Sequence, residues 1–260
     1  DLLLPEKIDL GLETEFMGKN IVHYEKVEST NQLAKEAADK DAAEGTIILA
    51  EEQKGGQGRM GREFYSPQGG IWLSFILRPE LKAVLATRAT YIASLALAKT
   101  IDKLTTLEPR IKWPNDILID GAKVSGILTE MGAELDQINY LVIGIGINAN
   151  FSKSELPKKV EASVTTLFSE LGSKIDRVDF IQQLLSFIEE SYQSINDFDS
   201  LLTEWKDYAY TLGEDVVIIN RDDKIYGQAV DIASDGALLV EVDGKEQRVY
   251  SGDVSLRHQN

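Results

Sequence analysis

The chain has 260 residues, of which 43% are hydrophobic, and its formal net charge is -16. It has no run of the roughly 18 apolar residues that a membrane-spanning helix needs, which predicts a soluble protein with one large core and a smaller one. There is no cysteine, and His23 and His258 are the only histidines, which excludes disulfides, thiol nucleophiles and Cys-ligated zinc and leaves little for a Ser-His-Asp triad.

The charge also limits the partners that this chain can bind. The 43 Asp and Glu residues outnumber the 27 Lys and Arg residues, which argues against general binding of DNA or RNA through a basic face. Any site for a polyanion must therefore be local. No signal peptide is visible, which together with the lack of cysteine predicts a cytoplasmic protein. The chain starts at Asp1 without an initiator methionine, so we expect that something was removed upstream.

The first hundred residues are predicted to alternate strands and helices. Residues 1–20 lack a clean period and are predicted to be a linker that packs loosely against the next part of the chain. Ser29 and Gln32 have the spacing of a capping box, which predicts a helix that continues through residues 33–39. The other predicted elements are strands at residues 21–27, 46–51 and 71–77 and an alanine- and leucine-rich core helix at residues 84–104.

A glycine-rich segment at residues 54–62 separates two of these strands and reverses the local charge. It holds three cations and four glycines within nine residues of an acidic chain. Glycine lets a backbone approach a ligand closely and turn its N–H groups toward it, while cations neutralise negative charge. The segment therefore predicts a phosphate-binding loop. It lacks the closing Gly-Lys-Ser/Thr of a nucleotide P-loop, which excludes that class.

The rest of the chain is predicted to form hairpins, a helical scaffold and a second β module. Asp120 and Gly121 are a strong signal for a hairpin turn. The predicted strands are residues 110–113, 117–119, 123–131 and 138–147, and the predicted helical segments are residues 163–171, 178–195 and 198–205. From Gly213 onward the pattern predicts a small barrel or SH3-like module. Its predicted strands are residues 216–219, 225–232, 237–242 and 248–250.

Residues 144–149 fit the glycine fingerprint of dinucleotide-binding folds, after an apolar run at residues 138–143. That fingerprint requires a helix directly after it. Residues 150–159 lack the apolar period of 3.6 residues that such a helix has, so a Rossmann fold is not favoured.

Four motifs succeed one another along the chain in an order that closely resembles the biotin protein ligase family. They are Ser29-Thr30-Asn31, Gln53 to Arg62, Lys112 to Asp116, and Lys123 to Leu128. The similarity runs from about residue 21 to the end. It implies an α+β fold in which a mixed or antiparallel sheet forms a catalytic domain of the biotin/lipoate ligase, class II synthetase-like type, followed by an SH3-like β-barrel. The implied division is a linker at 1–20, a catalytic domain at 21–210 and a C-terminal domain at 211–260.

The resemblance implies ATP-dependent ligation of biotin to a lysine of a biotin carboxyl carrier protein. The carboxylate of biotin attacks the α-phosphate of ATP to give biotinyl-5'-AMP and pyrophosphate, and the acceptor lysine then attacks that anhydride and releases AMP. Two anions must meet, and fixed cations and Mg2+ reverse their repulsion. ATP and Mg2+ are therefore the implied cofactors and biotin is a substrate, while the metal ligands stay unassigned.

The resemblance also implies roles for individual charged residues. By its position in the motif, Lys123 bridges the biotin carboxylate and the α-phosphate. Arg59 lies at the junction of biotin and phosphate, and Arg62 lies on the phosphates. Lys112 faces the nucleotide phosphates. Asp116 either orients or deprotonates the acceptor lysine, or it is a structural cap.

For the ureido ring of biotin, the resemblance implies contacts from Ser29, Thr30 and Gln53. Trp72 is implied to wall the pocket for the apolar rings, with an ordinary core role as the alternative, and Phe64 is implied to cover adenine. The remaining implied ligand contacts are Asn31, Gly56, Gln57, Gly58, Asn115, Gly126 and Asn148.

Two positions depart from the family pattern. The family often has arginine where this chain has Gln57, which puts in doubt any role of that position in retaining biotinyl-5'-AMP. It often has tryptophan at the position of Phe64, so stacking on adenine should be weaker here.

Three alternative functions stay open. Lipoate protein ligase is similar in fold and also forms an acyl adenylate, but its usual Arg-Arg-x-x-Gly-Gly loop is absent, and lipoate has no ureido group for Gln53. A ligand-sensing repressor is the second, since residues 1–20 resemble the connector after a winged helix-turn-helix in bifunctional members. A non-catalytic biotin-binding module is the third. The implied partners are a carrier domain and a second copy in a homodimer through the sheet edge, with no membrane and no nucleic acid through this chain alone.

Overall fold

The structure is a computed structural model that describes residues 2–220, 223–250 and 252–256. His258 and the rest of residues 257–260, at the end of the predicted C-terminal domain, lie outside the described residues, as does Asp1. The helices are α1 Pro5–Leu10, α2 Thr30–Ala38, α3 Arg88–Leu104, α4 Leu167–Leu171, α5 Arg177–Gln193 and α6 Phe198–Asp207. The first seven strands are β1 Ile21–Tyr24, β2 Ile47–Ala50, β3 Ile71–Leu77, β4 Arg110–Lys112, β5 Asp116–Ile119, β6 Ala122–Glu134 and β7 Gln137–Ile147. The other five are β8 Asp215–Asn220, β9 Asp223–Ile232, β10 Leu238–Val242, β11 Lys245–Val249 and β12 Asp253–Leu256.

The larger sheet is mixed and has the order β1-β2-β3-β7-β6-β5-β4. Strands β1 and β2 are parallel, and all other neighbours in this sheet are antiparallel. Every residue of β3 is buried, because helices and loops cover the middle of the sheet. Helix α2 packs against β2, β3 and β7, whereas α3 packs against β6 and β7. Helices α5 and α6 pack in turn against α3. The predicted α+β class is confirmed, and none of the helices in the described ranges has both the length and the apolarity to cross a bilayer.

Two predictions made from glycine-containing segments are confirmed. Asp120 and Gly121 have φ angles of 48° and 78°, which is the two-residue turn with positive φ that joins twisted antiparallel strands. They connect β5 directly to β6. Strand β7 ends at Ile147, and the next α-helix begins only at Leu167, so the segment at 144–149 is not a dinucleotide-binding turn.

Two predicted helices begin later than the sequence indicated. Helix α3 begins at Arg88 rather than at residue 84, because the N–H of Ala83 donates to the carbonyl of Asp136 at 3.0 Å and a 3-10 turn intervenes. The segment predicted as a helix from residue 163 is extended at first. There Lys123 of β6 exchanges backbone hydrogen bonds with Ser163 and Thr165 at 2.9 and 2.8 Å, and α4 comes after them.

The second sheet is antiparallel and has the order β11-β10-β9-β8-β12, which forms the SH3-like C-terminal module. Strand β11 covers Lys245–Val249 rather than the predicted residues 248–250. Strand β12 was not predicted, because four residues near the chain end give too short a pattern. It pairs with β8, so that β8 is bonded on both sides.

The N-terminal segment packs closely, which corrects the prediction of a loose linker at residues 1–20. Helix α1 packs against α5, and Leu3, Ile8 and Met17 are fully buried. The backbone N–H of Leu3 donates to the Glu51 carboxylate at 2.8 Å. These apolar residues are spread over coil and one short helix, so they have no single period that a sequence pattern could reveal.

One buried carboxylate on α5 holds the turn after α1. Glu189 accepts hydrogen bonds from the backbone N–H groups of Glu15, Phe16 and Met17 at 2.6, 2.9 and 2.9 Å. Burial by itself would raise the pKa of Glu189, but the three N–H donors outweigh it and hold the pKa below its ordinary value. The ionised form of Glu189 therefore stabilises the folded state.

We expect Glu189→Ala to lower the free energy of unfolding by about 2–4 kcal/mol at pH 7, because three N–H groups lose a charged acceptor. The pKa is lower in the folded state, so this contribution is complete above the unfolded value of about 4.3 and is lost as the pH falls through the folded value. Urea unfolding of both proteins at pH 7 and across the acid range measures it. Glu190→Ala is the control, since that neighbour is 60% exposed and its loss should cost less than about 1 kcal/mol. Equal costs for the two variants at pH 7 would contradict the assignment.

Candidate functional site

A cavity of about 160 Å3 opens where the start of α2, the glycine-rich loop and strands β6 and β7 meet. Most of the predicted site residues line it: Ser29, Thr30, Asn31, Gln53, Gln57, Gly58, Arg59, Arg62, Phe64, Asn115, Asp116, Lys123 and Gly126. The lining also includes Glu63, Leu73, Ile127, Leu128, Gly144, Ile145 and Gly146, which were not predicted. Residues that lie far apart in the chain thus form one continuous wall.

One end of the cavity is neutral and polar. The backbone N–H and the hydroxyl of Thr30 both donate to Gln53 Oε1, at 2.8 and 3.0 Å. The Gln53 amide nitrogen donates to Ser66 Oγ at 3.1 Å. Ser29 is the N-cap of α2, which fixes the start of the helix beside these groups. This end can therefore offer rigid hydrogen-bonding groups to a small uncharged polar ring.

Two glycines of β7 form the floor of the cavity. A Cβ atom at Gly144 would lie 1.9 Å from Asn31 Oδ1, and one at Gly146 would lie 2.7 Å from the Phe64 ring. Any side chain at these positions would displace Asn31 or Phe64. The glycines at residues 144 and 146 therefore let α2 and the loop contact the sheet, which explains a pattern that resembled a nucleotide fingerprint.

The other end of the cavity is charged. The side-chain nitrogen of Lys123 lies 2.6 Å from Asp116 Oδ1 and 5.6 Å from the centre of the Phe64 ring. A Cβ atom at Gly126 would lie 3.0 Å from Lys123 Nζ, so glycine leaves the space in which the lysine lies. With Arg59 and Arg62, three cations line the cavity of a chain whose net charge is -16. The carboxylates of Asp116 and Glu63 also line the cavity, so its cations exceed its carboxylates by one and this end can attract an anion.

Arg59 lies between this cavity and a second cleft of about 220 Å3. Its Nη1 atom donates to Asn115 Oδ1 and to the carbonyl of Gly252, both at 3.3 Å. Asn115 in turn donates through Nδ2 to the carbonyl of Ile127 at 2.7 Å. The second cleft is also lined by Tyr91 of α3 and by Gly236 and Tyr250 of the C-terminal module. The loop is thereby tied to both parts of the molecule.

Two residues predicted to contact ligand are buried outside the cavity lining. Trp72 is fully buried, donates to the carbonyl of Pro67 at 2.9 Å, and packs with Phe151, so its position favours the core alternative. Its ring packs edge-on against the lining residue Phe64, with the ring centres 5.9 Å apart. Asn148 is 2% exposed, and its amide donates to the carbonyl of Thr165 at 3.0 Å, which holds the chain after β7.

Two further predicted residues also lie outside the lining. Lys112 pairs in register with Asp116 across β4 and β5, so it is beside the charged end but not part of its wall. Gly56 belongs to the loop itself, and a Cβ atom there would be 2.5 Å from the carbonyl oxygen of Phe64 and 2.6 Å from Ser66 Oγ. Its role in this structure is to let two segments of the loop approach each other.

Three polar residues that support the neutral end were missed by the sequence interpretation. Ser74 is a fully buried serine inside the apolar strand β3, Ser66 is 2% exposed, and Glu130 comes after the predicted lysine motif on β6. A hydroxyl in an otherwise apolar strand needs a hydrogen-bond partner when it is buried. Applied to the sequence, that rule would have singled out Ser74, but nothing in the sequence indicates which residue is its partner.

Comparison with known proteins gives two family matches along the chain. Residues 24–148 match the biotin/lipoate A/B protein ligase family, and residues 211–257 match the biotin protein ligase C terminal domain. These two matches include the loop, both lysine motifs and the C-terminal sheet.

Curated relatives and solved structures agree with these matches. The chain is 37% identical over 257 residues to the bifunctional ligase/repressor BirA of Bacillus subtilis (strain 168), which covers 98% of this chain and 79% of that protein. It is 30% identical over 235 residues to a biotin--[acetyl-CoA-carboxylase] ligase of Mycobacterium tuberculosis, with 87% and 85% covered. The biotin protein ligase from Aquifex aeolicus, solved in complex with biotin and ATP, is similar with a TM-score of 0.78 at 29% identity, over 93% of this chain and 100% of that one.

Proposed function

The chain belongs to the biotin/lipoate A/B protein ligase family as a biotin protein ligase, and from that premise we propose that it joins biotin to a lysine of a biotin carboxyl carrier protein by way of biotinyl-5'-AMP. In the first step an oxygen of the biotin carboxylate bonds to the α-phosphorus of ATP, and the bond from that phosphorus to pyrophosphate breaks. In the second step the acceptor amine attacks the biotinyl carbonyl carbon, loses a proton and expels AMP.

The observation that carries this proposal is one cavity with a neutral polar end and a cationic end. Biotin has a cyclic urea at one end and a carboxylate at the other, which matches Thr30 and Gln53 at one end and Lys123 at the other. Carboxylate and phosphate repel by about 1 kcal/mol at 4 Å in water and by about 4 kcal/mol at the effective dielectric of a protein site. Fixed cations at that junction turn the repulsion into attraction.

We propose the following roles for the charged residues in and beside the cavity. Lys123 bridges the biotin carboxylate and the α-phosphate, and Arg59 and Arg62 hold the phosphates from the loop. Asp116 holds Lys123 over the cavity and faces the acceptor amine in the second step, where it orients that amine or accepts its proton. Lys112 acts on the nucleotide from outside the present lining.

ATP is proposed to bind as its Mg2+ complex. Within the described ranges, no group of three or more His, Cys, Asp or Glu side chains could hold a metal ion. Mg2+ commonly reaches phosphate-transfer sites on the substrate phosphates with only one or two protein carboxylates. We therefore treat the metal as part of the substrate, and Asp116 is the lining carboxylate nearest to Lys123.

Biotin-dependent exchange between pyrophosphate and ATP is the experiment that tests this function. We expect exchange of labelled pyrophosphate into ATP only when biotin is present, and no exchange when lipoate replaces it, because a dithiolane cannot bond to Thr30 and Gln53. Exchange that occurs with lipoate and not with biotin would indicate a lipoate ligase. Tight biotin binding without exchange would indicate a non-catalytic biotin-binding module.

The proposed macromolecular partners are a carrier domain and a second copy of the chain, in the cytoplasm. The pairing of β6 with β5 ends at Gly126, so the rest of β6 has no partner from β5 on that side. Met131 in this part of β6 and Leu135 just after the strand are 49% and 99% exposed. An unpaired strand edge with apolar side chains suits pairing with another β-strand. A monomer in sedimentation experiments with biotin and ATP at saturation would contradict the homodimer.

Curated relatives such as the Bacillus subtilis protein are named bifunctional ligase/repressor, which raises the question of DNA binding. We propose that these 260 residues act as a ligase and do not bind an operator by themselves, since their net charge is -16. Specific binding of operator DNA by this chain in a gel-shift assay would contradict that.

A further inference from the structure

Behind Thr30, a chain of hydrogen bonds runs away from the cavity through Ser74 and Asn31 to Glu130. We propose that these three residues, which we call the Glu130 relay, fix the direction of the Thr30 hydroxyl proton and so make the cavity select a ligand that has an N–H group at this point. The proposal rests on the proposed function and deepens it. Its elements are positioning residues, because their effect on the ligand passes through Thr30.

The orientation of the Asn31 amide is determined by its neighbours. Its nitrogen, Nδ2, lies 2.9 Å from Glu130 Oε2 and 3.3 Å from the carbonyl oxygen of Leu128. A carbonyl oxygen and a carboxylate oxygen can only accept hydrogen bonds. The NH2 group of Asn31 must therefore face them. Lys35 holds the other oxygen of Glu130 at 2.7 Å. The amide oxygen of Asn31 is thereby directed at Ser74, 2.6 Å away.

A serine hydroxyl has one proton, and here only one use of it is possible. Ser74 Oγ lies 2.6 Å from Asn31 Oδ1 and 2.8 Å from Thr30 Oγ1. Because the amide oxygen cannot donate, Ser74 must give its proton to Asn31. Toward Thr30, Ser74 therefore offers only a lone pair, and the single Thr30 proton can go to Gln53 or to Ser74 but not to both.

Gln53, on the other side of Thr30, also can only accept. Ser66 donates to the carbonyl of Phe64 at 3.0 Å and so accepts from the Gln53 amide nitrogen. The Gln53 oxygen therefore faces Thr30, as its bond from the Thr30 backbone N–H also requires. Both neighbours of the Thr30 hydroxyl are acceptors, so its proton is used within the protein and only its lone pairs are left for the cavity.

Burial makes this arrangement persistent. Ser74, Thr30 and Asn31 are 0%, 3% and 7% exposed, so water cannot readily replace a partner among these three. Glu130 is 33% exposed and is held in place by Lys35. The position of Asn31 also depends on Gly144, where a Cβ atom would lie 1.9 Å from its oxygen. A cyclic urea supplies the N–H that Thr30 then needs, whereas an ether oxygen, a carbamate oxygen or a dithiolane sulfur at the same place does not.

The test compares biotin with two isosteric analogues, in each of which one of the two ureido N–H groups is replaced by oxygen. The dissociation constant of each ligand is measured for the wild type and for Ser74→Ala. Wild-type protein should bind biotin at least about tenfold more tightly than one of these two analogues, because a buried acceptor is left facing an oxygen. In Ser74→Ala the Thr30 proton keeps only Gln53 of its two acceptors, so it turns toward the ligand more readily than in the wild type. We expect the dissociation constant for biotin to rise about tenfold, the kcat of exchange to change less than about threefold, and the preference for biotin over that analogue to fall about tenfold.

Two further variants make the outcome decisive. Glu130→Gln lets an amide NH2 face Asn31, so the preference should fall in the same direction, and it serves if Ser74→Ala does not fold. Ser94→Ala is the matched control, since this buried serine lies on α3 and bonds to Trp205, and it should leave the preference unchanged. Suppose that the wild type binds biotin and catalyses exchange, and that both Ser74→Ala and Glu130→Gln keep the wild-type preference for biotin over the analogue. That result would overturn the relay but not the proposed function. Failure of the wild type to bind biotin would instead overturn the proposed function.

Discussion

Lys123→Ala is expected to lower kcat/KM for biotin-dependent pyrophosphate exchange by about 10^2 to 10^3, which is the usual loss when one fixed charge or donor is removed from a developing anion. Lys123 lies in the cavity wall 2.6 Å from Asp116 and is fixed at its backbone by two hydrogen bonds to residues 163 and 165. The loss should fall more on kcat than on the dissociation constant for biotin, because the carboxylate and the α-phosphate come closest to each other in the transition state.

Two comparisons separate this role from a general effect of charge. Lys26→Ala removes a lysine that also forms an ion pair, with Glu52, but is 46% exposed and outside the cavity, so exchange should stay within about twofold of wild type. The free energy of unfolding of Lys123→Ala should change by less than about 1 kcal/mol, since its partner Asp116 is itself partly exposed. A similar loss of exchange in both lysine variants would show that Lys123 has no special role.

Gly144→Ala is expected to raise the KM for biotin by about 10^2 while leaving the KM for ATP within about threefold. The new methyl group would lie 1.9 Å from Asn31 Oδ1 and 2.8 Å from its Cγ. Asn31 is held by Leu128 and Glu130, so it cannot move without breaking the polar end of the cavity. Overpacking of this kind also costs about 1–3 kcal/mol of stability.

A double variant and a control distinguish this mechanism from simple unfolding. Asn31→Ala in the Gly144→Ala background should restore most of the stability by removing the clash, but it should leave the KM for biotin high. Gly132→Ala on β6 is the matched glycine control, since its methyl group would meet the Tyr140 ring at 2.5 Å, outside the cavity lining. An unchanged KM for biotin in Gly144→Ala would contradict the role given to Asn31.

Sequence patterns predicted the fold where local signals were strong. The Asp120–Gly121 turn fixed the β5–β6 hairpin, and the ordered motifs of the loop and of β6 identified most of the cavity wall. The N-terminal segment was misjudged, because Leu3 and Ile8 are buried by contacts with distant residues rather than by a periodic pattern.

The parts of the site that could not be predicted depend on contacts between distant segments. Ser74 looks like an isolated polar residue within a buried strand, and its partners Thr30 and Asn31 are more than forty residues away in sequence. Trp72 and Asn148 belong to segments next to the site, but packing against Phe151 and a bond to Thr165 bury them. Only the tertiary structure decides such cases, since the same residue types would be suitable for ligand contact if they were exposed.

A crystal structure of the protein with biotin and ATP tests the central claim most directly. We predict that the ureido ring binds at Thr30 and Gln53, with a ring N–H about 3 Å from the Thr30 hydroxyl, and that the carboxylate and the α-phosphate both lie within about 4 Å of the Lys123 nitrogen. Arg59 and Arg62 should then contact the phosphates. Biotin bound in another cavity, or with its carboxylate at the Thr30 end, would contradict the assignment of both ends of the site.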